Sequence, residues 1–171
     1  MKMEGSALRF FFVVILMQML FSINSYAVYE RYVSLPSVLI GDPDIDEYVD
    51  NKPLNVEMNG QKLKLIVAKE HDTMIKGLSW RKKIPFDGMI FFFDKPMKIS
   101  FWMRGMNFPI DIVWVSNNIV IGVTENAKPE PGVPEEDLKL YTPPAKVDIV
   151  IELSAGQAKQ LNIKEGNILI L

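Results

Sequence analysis

The sequence predicts a mainly β protein, an antiparallel sandwich or distorted barrel with two short helices. Apolar residues alternate with polar ones over many short runs, turn-forming residues separate these runs, and only two brief segments carry a helical pattern. Many short strands with few helices are typical of a single β-rich domain. The chain has 171 residues and no cysteine, so the packing of one core must stabilise it without disulfide bonds.

The first 27 residues have the order of charged, apolar and small residues that is typical of a secretory signal peptide. Lys2 and Arg9 accompany an apolar segment over residues 8–21, and Ala27 is the predicted last residue of the leader. The apolar segment is shorter than the roughly 20 residues that a membrane-spanning helix needs. We therefore expect a periplasmic or secreted protein with no stable membrane anchor after cleavage. The alternative is an uncleaved amphipathic or core helix.

Charge and composition exclude several function classes. The net charge is −2, and it becomes −3 when a leader with a net charge of +1 is removed. Such a chain has no broad positive field to attract nucleic acid or anionic lipid. The absence of cysteine excludes thiol catalysis, lipid attachment and cysteine metal sites. Because His71 is the only histidine, a multi-histidine zinc site and a histidine-based triad are also disfavoured. We expect no metal, no cofactor and no nucleic-acid partner.

The remaining sequence divides into an arm and a domain. Residues 28–53 contain prolines and acidic residues without apolar periodicity, which predicts a flexible acidic arm or linker. A single β-rich domain is expected over residues 54–171. It opens with two alternating apolar runs around Asn59-Gly60, a strong signal for a hairpin turn.

The later elements follow from shorter patterns. Asp72 is the predicted N-cap of a short helix, and residues 89–93 form a continuous apolar run that is typical of a strand covered on both faces. Residues 99–104 and 110–115 predict a second hairpin, which residues 119–123 extend. The last predicted elements are a half-buried strand over 147–153, a short helix over 155–161 and a final strand over 168–171.

A long proline-rich stretch covers residues 124–146. It contains five prolines and five acidic residues, and prolines at this density prevent a regular strand ladder. A loop of this length in a compact domain is usually functional or disordered. The sequence leaves both alternatives open, a lid over a binding site or a disordered segment.

Six short motifs occur in order along residues 54–171: Gly77-Leu78 with Arg81, Asp-Gly-Met-Ile-Phe at 87–91, Phe-Trp-Met-Arg at 101–104, Pro-Ile-Asp at 109–111, Glu-Leu-Ser-Ala-Gly at 152–156 and Gly-Asn at 166–167. This series resembles the Domain of Unknown Function 192 family, also called uncharacterised protein family 0127. The resemblance implies a compact β-rich fold that is often exported, and it implies no agreed activity. The chain departs from the family pattern after Trp-Met, where Arg104-Gly105-Met106 replaces the usual Lys-Asn-Thr.

The second predicted hairpin carries the best candidate ligand-binding residues. In a strand, Trp102 and Arg104 face the same way, so an indole and a guanidinium emerge together. Asp111 joins them if the register of the hairpin sets it opposite Arg104. Arg81 and Asp87 precede this hairpin and are candidates for the same rim. An indole can stack on sugar rings or peptide side chains; the alternative is that Trp102 belongs to the core and the charged pair only closes the sheet.

The sequence gives less support to two other kinds of site, a pair of catalytic carboxylates and a copper(I) site. Catalysis by paired carboxylates would need two of Asp87, Asp111 and Glu152 to converge, but Glu152 lies on the polar face of a strand that looks half-buried. A copper(I) site would need Met97 and Met103, which are too far apart along an extended strand to reach one ion.

The sequence therefore favours a binding protein over an enzyme. We expect an exported β-rich domain that binds a small polar ligand or an envelope partner protein, and no catalytic residue is assigned. One alternative is a carboxylate-dependent hydrolase whose acids converge in a cleft. The other is an accessory subunit of a cell-envelope complex, which would present a large exposed apolar patch.

Overall fold

The computed structural model describes residues 48–171, which form seven strands, two short α-helices and one turn of 3₁₀ helix over Glu135–Asp137. The predicted signal peptide over 1–27 and most of the predicted arm over 28–53 lie outside these residues. The elements in chain order are β1 Pro53–Met58, β2 Gln61–Ala68, α1 His71–Lys76, β3 Gly88–Met97, β4 Ile110–Ser116, β5 Ile119–Ala127, β6 Val147–Ser154, α2 Gln157–Gln160 and β7 Leu169–Ile170. No helix of the described part is long and apolar enough to cross a membrane.

All seven strands belong to one sheet in the order β5-β4-β6-β3-β2-β1-β7. Every neighbouring pair is antiparallel except β2 and β3, which are parallel and connected through α1. The two edge strands also approach each other, because Val120 N–H donates to the Asn167 carbonyl at 2.9 Å and Leu169 N–H donates to the Asn118 carbonyl at 2.8 Å. The sheet is therefore curled into a distorted half-barrel, which confirms the predicted mainly β fold with two short helices.

The sheet is covered on both faces. One apolar cluster, the inner core, takes residues from every strand, among them Leu65, Ile90, Val113, Ile151 and Leu169. A second cluster, the outer core, takes the alternate residues of the central strands, among them Met89, Phe91, Ile112, Trp114 and Val150. Since successive side chains of a strand point to opposite faces, burial of both faces explains the continuous apolar run at 89–93, and the predicted two-sided strand is confirmed.

The first predicted hairpin is confirmed and the second is wrong. Met58 pairs with Gln61 around the Asn59-Gly60 turn. Residues 98–109 form a loop whose single strand-like contact is the bridge between Phe101 and Tyr141. The apolar residues of this loop pack onto the outer core instead of forming a ladder, and β4 pairs with β5 and β6.

The predicted N-cap of the first helix, Asp72, is wrong by two residues, because Glu70 occupies the N-cap position and Asp72 lies in the first turn. The helix starts at His71, and Asp50 binds the preceding backbone: its Oδ1 accepts hydrogen bonds from the N–H groups of Lys69 at 2.9 Å and Glu70 at 3.2 Å. The Thr73 hydroxyl donates to Oδ2 at 2.6 Å. Burial acts to raise the pKa of Asp50, but these hydrogen bonds outweigh it and leave the pKa below its usual value. The last residues of the predicted arm are thus bound to α1.

The proline-rich loop begins later than predicted, because β5 continues to Ala127. The Lys139 N–H donates to the Glu130 carboxylate at 3.2 Å. Phe101 and Tyr141 exchange two backbone hydrogen bonds of 2.8 Å. The Lys139–Glu130 hydrogen bond lies within the proline-rich loop, and the Phe101–Tyr141 hydrogen bonds fasten this loop to the 98–109 loop. The second helix is shorter than predicted and starts at Gln157 after Gly156, which has a left-handed φ of 84°.

Candidate functional site

A cavity of about 280 Å³ lies between the outer face of the sheet, α1 and the 98–109 loop. We call it the outer cavity. Its walls are mainly apolar, with Met74 of α1 on one side. Four aromatic side chains line it: Phe91, Phe93, Phe101 and Trp102. A concave apolar site with few polar groups is the usual form of a small-molecule site.

Strand alternation and ring packing build the outer cavity. Phe91 and Phe93 are two residues apart on β3, so both point to the outer face. The Phe101 ring packs edge-on against Phe91, with the ring centroids 5.2 Å apart, and against Trp114 at 5.6 Å. Gly77 ends α1 with a φ of 47°, and an added Cβ would lie 3.4 Å from the Phe91 ring. The 98–109 loop and α1 therefore lie close to the sheet without filling the space between them.

Glu152 is the one acidic side chain that lines the outer cavity. On β6 it lies opposite Met89 of β3 and Ile112 of β4. The residue is only 5% exposed, and its Oε2 is buried without a hydrogen-bond partner. Burial raises the pKa of Glu152 to about 8, so the group is mainly a neutral acid at pH 7. Buried polar atoms without a partner are rare, and such groups in a cleft are candidates for functional residues.

Asp111, a predicted binding residue, has a different environment. It is fully buried on β4 and points to the inner face, since it pairs with Leu153. Its Oδ1 accepts a hydrogen bond from the Asn126 N–H at 2.8 Å, and its Oδ2 accepts one from the Ala158 N–H at 3.0 Å. Asp111 thereby joins β5 and the start of α2 to β4.

The other predicted site residues are spread over the same end of the molecule. Trp102 lines the outer cavity and is 38% exposed. Arg104 forms a salt bridge of 3.1 Å with Glu135 of the proline-rich loop, so the predicted Arg104–Asp111 pair does not form. The remaining two make backbone contacts: Arg81 Nε donates to the Gly77 carbonyl at 3.4 Å, and Asp87 accepts a hydrogen bond from the Lys64 N–H at 2.8 Å.

A second hollow of about 310 Å³ lies beside the mouth of the outer cavity. We call it the Trp80 hollow. It is lined by Asp72, Ile75, Lys76, Ser79, Trp80 and Arg104. Ile75, Lys76 and Ser79 also line the outer cavity, so the two spaces are neighbours. Among residues 48–171, no group of three or more His, Asp or Glu side chains is placed to hold a metal ion.

Sequence reasoning missed the position of Glu152 in an apolar wall. The sequence pattern predicts that Glu152 lies on a solvent-facing polar side of the strand over 147–153, but Val150 on the same side is buried in the outer core. A β-branched apolar residue between two acids is the signal that this face is covered. What covers it is the 98–109 loop, which the sequence pattern assigned to a strand.

Comparisons with known proteins support the same fold. A proposed transcription regulator from Sinorhizobium meliloti 1021 is 24% identical with a TM-score of 0.61, and the match covers 71% of this chain and 95% of that one. This likeness concerns the fold alone. A protein of unknown function from Novosphingobium aromaticivorans DSM 12444 is 27% identical with a TM-score of 0.60, over 70% of this chain and 85% of that one.

No curated protein matches this chain. The family model DUF192, described as an uncharacterized ACR, matches residues 54–171. This match covers more than half of the chain, and it begins within β1 and continues to the last residue. The predicted resemblance is confirmed, and the chain belongs to the DUF192 family.

Proposed function

We propose that this protein is an exported binding protein that holds a small, mainly apolar molecule in the outer cavity. The bound molecule carries one neutral polar group, which pairs with the protonated carboxyl of Glu152. The observation that carries the proposal is the Oε2 of Glu152, buried without a partner beside an apolar space large enough for a ligand.

The chemistry of a neutral acid determines the ligand class. A protonated carboxyl offers one O–H donor and one carbonyl acceptor, so its complement is a carboxamide, an alcohol or another protonated acid. A ligand that gives Oε2 a partner removes an unsatisfied buried group, which is worth about 1–3 kcal/mol. The aromatic walls supply the rest of the affinity, at roughly 25 cal/mol for each Å² of apolar surface buried.

A cationic ligand fits less well. It would require Glu152 to release its proton and would bury an ion pair, and the cost of desolvating two charges offsets most of their attraction. Hydrolysis by paired carboxylates also has less support, because Asp111 lies on the inner face and binds backbone N–H groups. The cavity geometry therefore favours an apolar molecule with a neutral polar group over the small polar ligand expected from the sequence.

The export part of the proposal rests on the pattern of residues 1–27. Cell fractionation and amino-terminal sequencing test it. We expect the protein outside the cytoplasm, with Val28 as the first residue. Cytoplasmic protein that still begins at Met1 would overturn this part and leave the ligand proposal standing.

A fluorescent probe tests the ligand proposal directly. The neutral dye N-phenyl-1-naphthylamine brightens in apolar sites, and we expect it to bind the purified protein with saturation. Heptanamide, heptylamine and heptanoate share one chain length and differ in charge. At pH 6 we expect heptanamide to displace the dye at the lowest concentration. Displacement by heptylamine alone would overturn the assigned ligand class.

Three variants locate the binding. Met74→Trp fills the outer cavity from α1, so it should abolish dye binding. Glu152→Met keeps the apolar volume but removes the polar partner, so heptanamide should lose about tenfold in affinity, equivalent to about 1.4 kcal/mol, while the dye binds as before. Glu125→Gln, on an exposed part of β5, is the matched control. Dye binding that persists in Met74→Trp would show that the outer cavity is not the site.

A further inference from the structure

Trp80 is held in an unusual backbone conformation at the surface. Its φ is 64°, in the left-handed region that bulky residues rarely adopt. The Trp80 N–H donates to the Gly105 carbonyl at 2.7 Å, and the side chain is 72% exposed. A strained residue persists only where its surroundings fix it, and such residues are concentrated at functional sites.

Gly105 fixes the plane of the indole. A Cβ added at Gly105 would lie 2.6 Å from Cε2 and 2.8 Å from Cζ2 of Trp80, so one face of the ring rests directly on the glycine backbone. Because the side chain is nevertheless 72% exposed, the opposite face is open to solvent. The result is a rigid flat apolar surface with an orientation set by the backbone.

Polar side chains of both charges surround this surface. Asp72 and Lys76 are four residues apart on α1, so they lie on the same side of the helix. Arg104 faces the same hollow and is bound to Glu135, and the Ser79 hydroxyl donates to the Arg104 carbonyl at 2.7 Å. An indole face beside hydrogen-bonding side chains is suited to a ring with one apolar face and a polar edge.

The mixture of charges selects a neutral ligand. An anionic ligand or lipid surface would meet Asp72 and an Arg104 whose charge Glu135 already balances, and a cationic peptide side chain would meet Lys76 and Arg104. A polyhydroxyl ring offers donors to the carboxylates and acceptors to the cations, and its C–H face can stack on the indole. A neutral sugar ring has this combination of an apolar face and a polar edge.

We propose that the Trp80 hollow binds a neutral sugar ring, which stacks on the open face of Trp80 and is oriented by Asp72, Lys76 and Arg104. This site is separate from the carboxyl of Glu152, so it does not depend on ligand binding in the outer cavity. The pairing of Trp80 with Gly105 is what creates the stacking surface, because any side chain at position 105 would displace the ring.

Saturation-transfer difference NMR tests the proposal with the purified protein and three probes: chitotriose, cellotetraose and maltotetraose. We expect at least one probe to give signals from its ring C–H protons. Trp80→Ala should remove these signals, and Gly105→Ala should weaken binding by roughly tenfold or more by moving the indole. Phe86→Ala is the matched control and should retain the signals, because Phe86 is also an exposed aromatic residue, at 56%, with a positive φ of 47°, and it lines neither cavity.

The outcomes separate this proposal from the one for the outer cavity. Sugar signals should persist in Met74→Trp and Glu152→Met, which are the variants expected to lose the apolar ligand. The absence of signals with all three probes, or signals unchanged in Trp80→Ala, would overturn the sugar site. Because Trp80 is exposed, Trp80→Ala should unfold at the same temperature as the wild type, so a loss of binding cannot be assigned to misfolding.

Discussion

Asp111 and Glu152 lie on opposite faces of one sheet, although Asp111 pairs across the ladder with Leu153, the immediate neighbour of Glu152. Both carboxyl groups are buried. Asp111 accepts two backbone N–H groups, whereas Glu152 has an unpaired Oε2 at the outer cavity. Because neighbouring residues of a strand point to opposite faces, Asp111 shares its face with Leu153 and not with Glu152. Asp111 is therefore a structural acid, whereas Glu152 is a candidate binding residue.

The first prediction concerns stability against pH. The ordinary pKa of Glu152 is 4.5, and burial raises it to about 8. Between these values the unfolded chain has lost the proton and the folded chain keeps it. The free energy of unfolding should therefore fall as pH rises through this window, by up to about 1.4 kcal/mol for each pH unit. Below pH 4.5 and above about pH 8, Glu152 does not make the free energy of unfolding depend on pH.

Urea unfolding of the wild type and Glu152→Gln at a series of pH values measures this effect. The amide cannot titrate, so the difference between the two curves should change only between pH 4.5 and about 8. Glu125→Gln should follow the wild type. Parallel curves for the wild type and Glu152→Gln would contradict the claim that the folded protein keeps Glu152 protonated in this pH range.

The second prediction concerns ligand affinity against pH. The heptanamide carbonyl accepts a hydrogen bond from the protonated carboxyl of Glu152, so the affinity for heptanamide should be constant below the pKa of about 8. Above that value the affinity should fall by up to about tenfold for each pH unit. Titration of the fluorescent dye complex with heptanamide gives the profile. Glu152→Gln should bind heptanamide without this dependence, and an affinity that rises with pH would indicate a cationic ligand instead.

The third prediction concerns Asp111. In Asp111→Ala the buried N–H of Ala158 and the part-buried N–H of Asn126 lose their acceptors, the Asp111 side chain no longer joins β5 and α2 to β4, and an unsatisfied buried group costs about 1–3 kcal/mol. We expect a loss of roughly 2–5 kcal/mol in the free energy of unfolding, measured with urea. Asp94→Ala, at an exposed position of β3, should change it little. The dye should still bind Asp111→Ala wherever the protein remains folded, and a selective loss of dye binding would give Asp111 a role at the site.

The fourth prediction concerns Gly88. A Cβ at this position would lie 2.0 Å from the Glu152 carbonyl oxygen, so Gly88→Ala must separate β3 from β6. We expect a destabilisation above about 3 kcal/mol, by a steric clash with backbone. Gly156→Ala is the comparison, because its Cβ meets open space and only a left-handed φ of 84° is strained, at about 1 kcal/mol. Similar unfolding temperatures for the two variants would contradict the tight β3–β6 approach.

Local patterns predicted the parts of the fold that local chemistry determines. Asn59-Gly60 identified its hairpin because the turn needs two residues with positive φ, and both have it. The 89–93 run identified a strand covered on both faces. These assignments depend on neighbouring residues, so no knowledge of distant contacts was needed.

The candidate site is formed by contacts between residues that are far apart in the sequence, and local patterns do not predict such contacts. Phe101, Trp102 and Met103 alternate as in a strand, but their partner is the proline-rich loop through Tyr141 and not β4. Glu152 looked solvent-exposed because the loop that covers it lies about 50 residues earlier in the chain. The sequence predicts Trp102 as a contact residue on a hairpin, and the structure places it in a loop at the outer cavity. It pairs Arg104 with Asp111 only if the hairpin register allows, whereas the structure pairs Arg104 with Glu135. Side-chain alternation gives the direction of a residue but not what lies above it.

The location of the outer cavity on the convex side of the half-barrel separates ligand access from the integrity of the inner core. None of the residues that line the outer cavity takes part in the hydrogen bonds that join Val120 to Asn167 and Leu169 to Asn118. The proposed ligand can therefore enter and leave without opening these hydrogen bonds, and the amides of Val120 and Leu169 should keep their protection from deuterium exchange with or without the ligand.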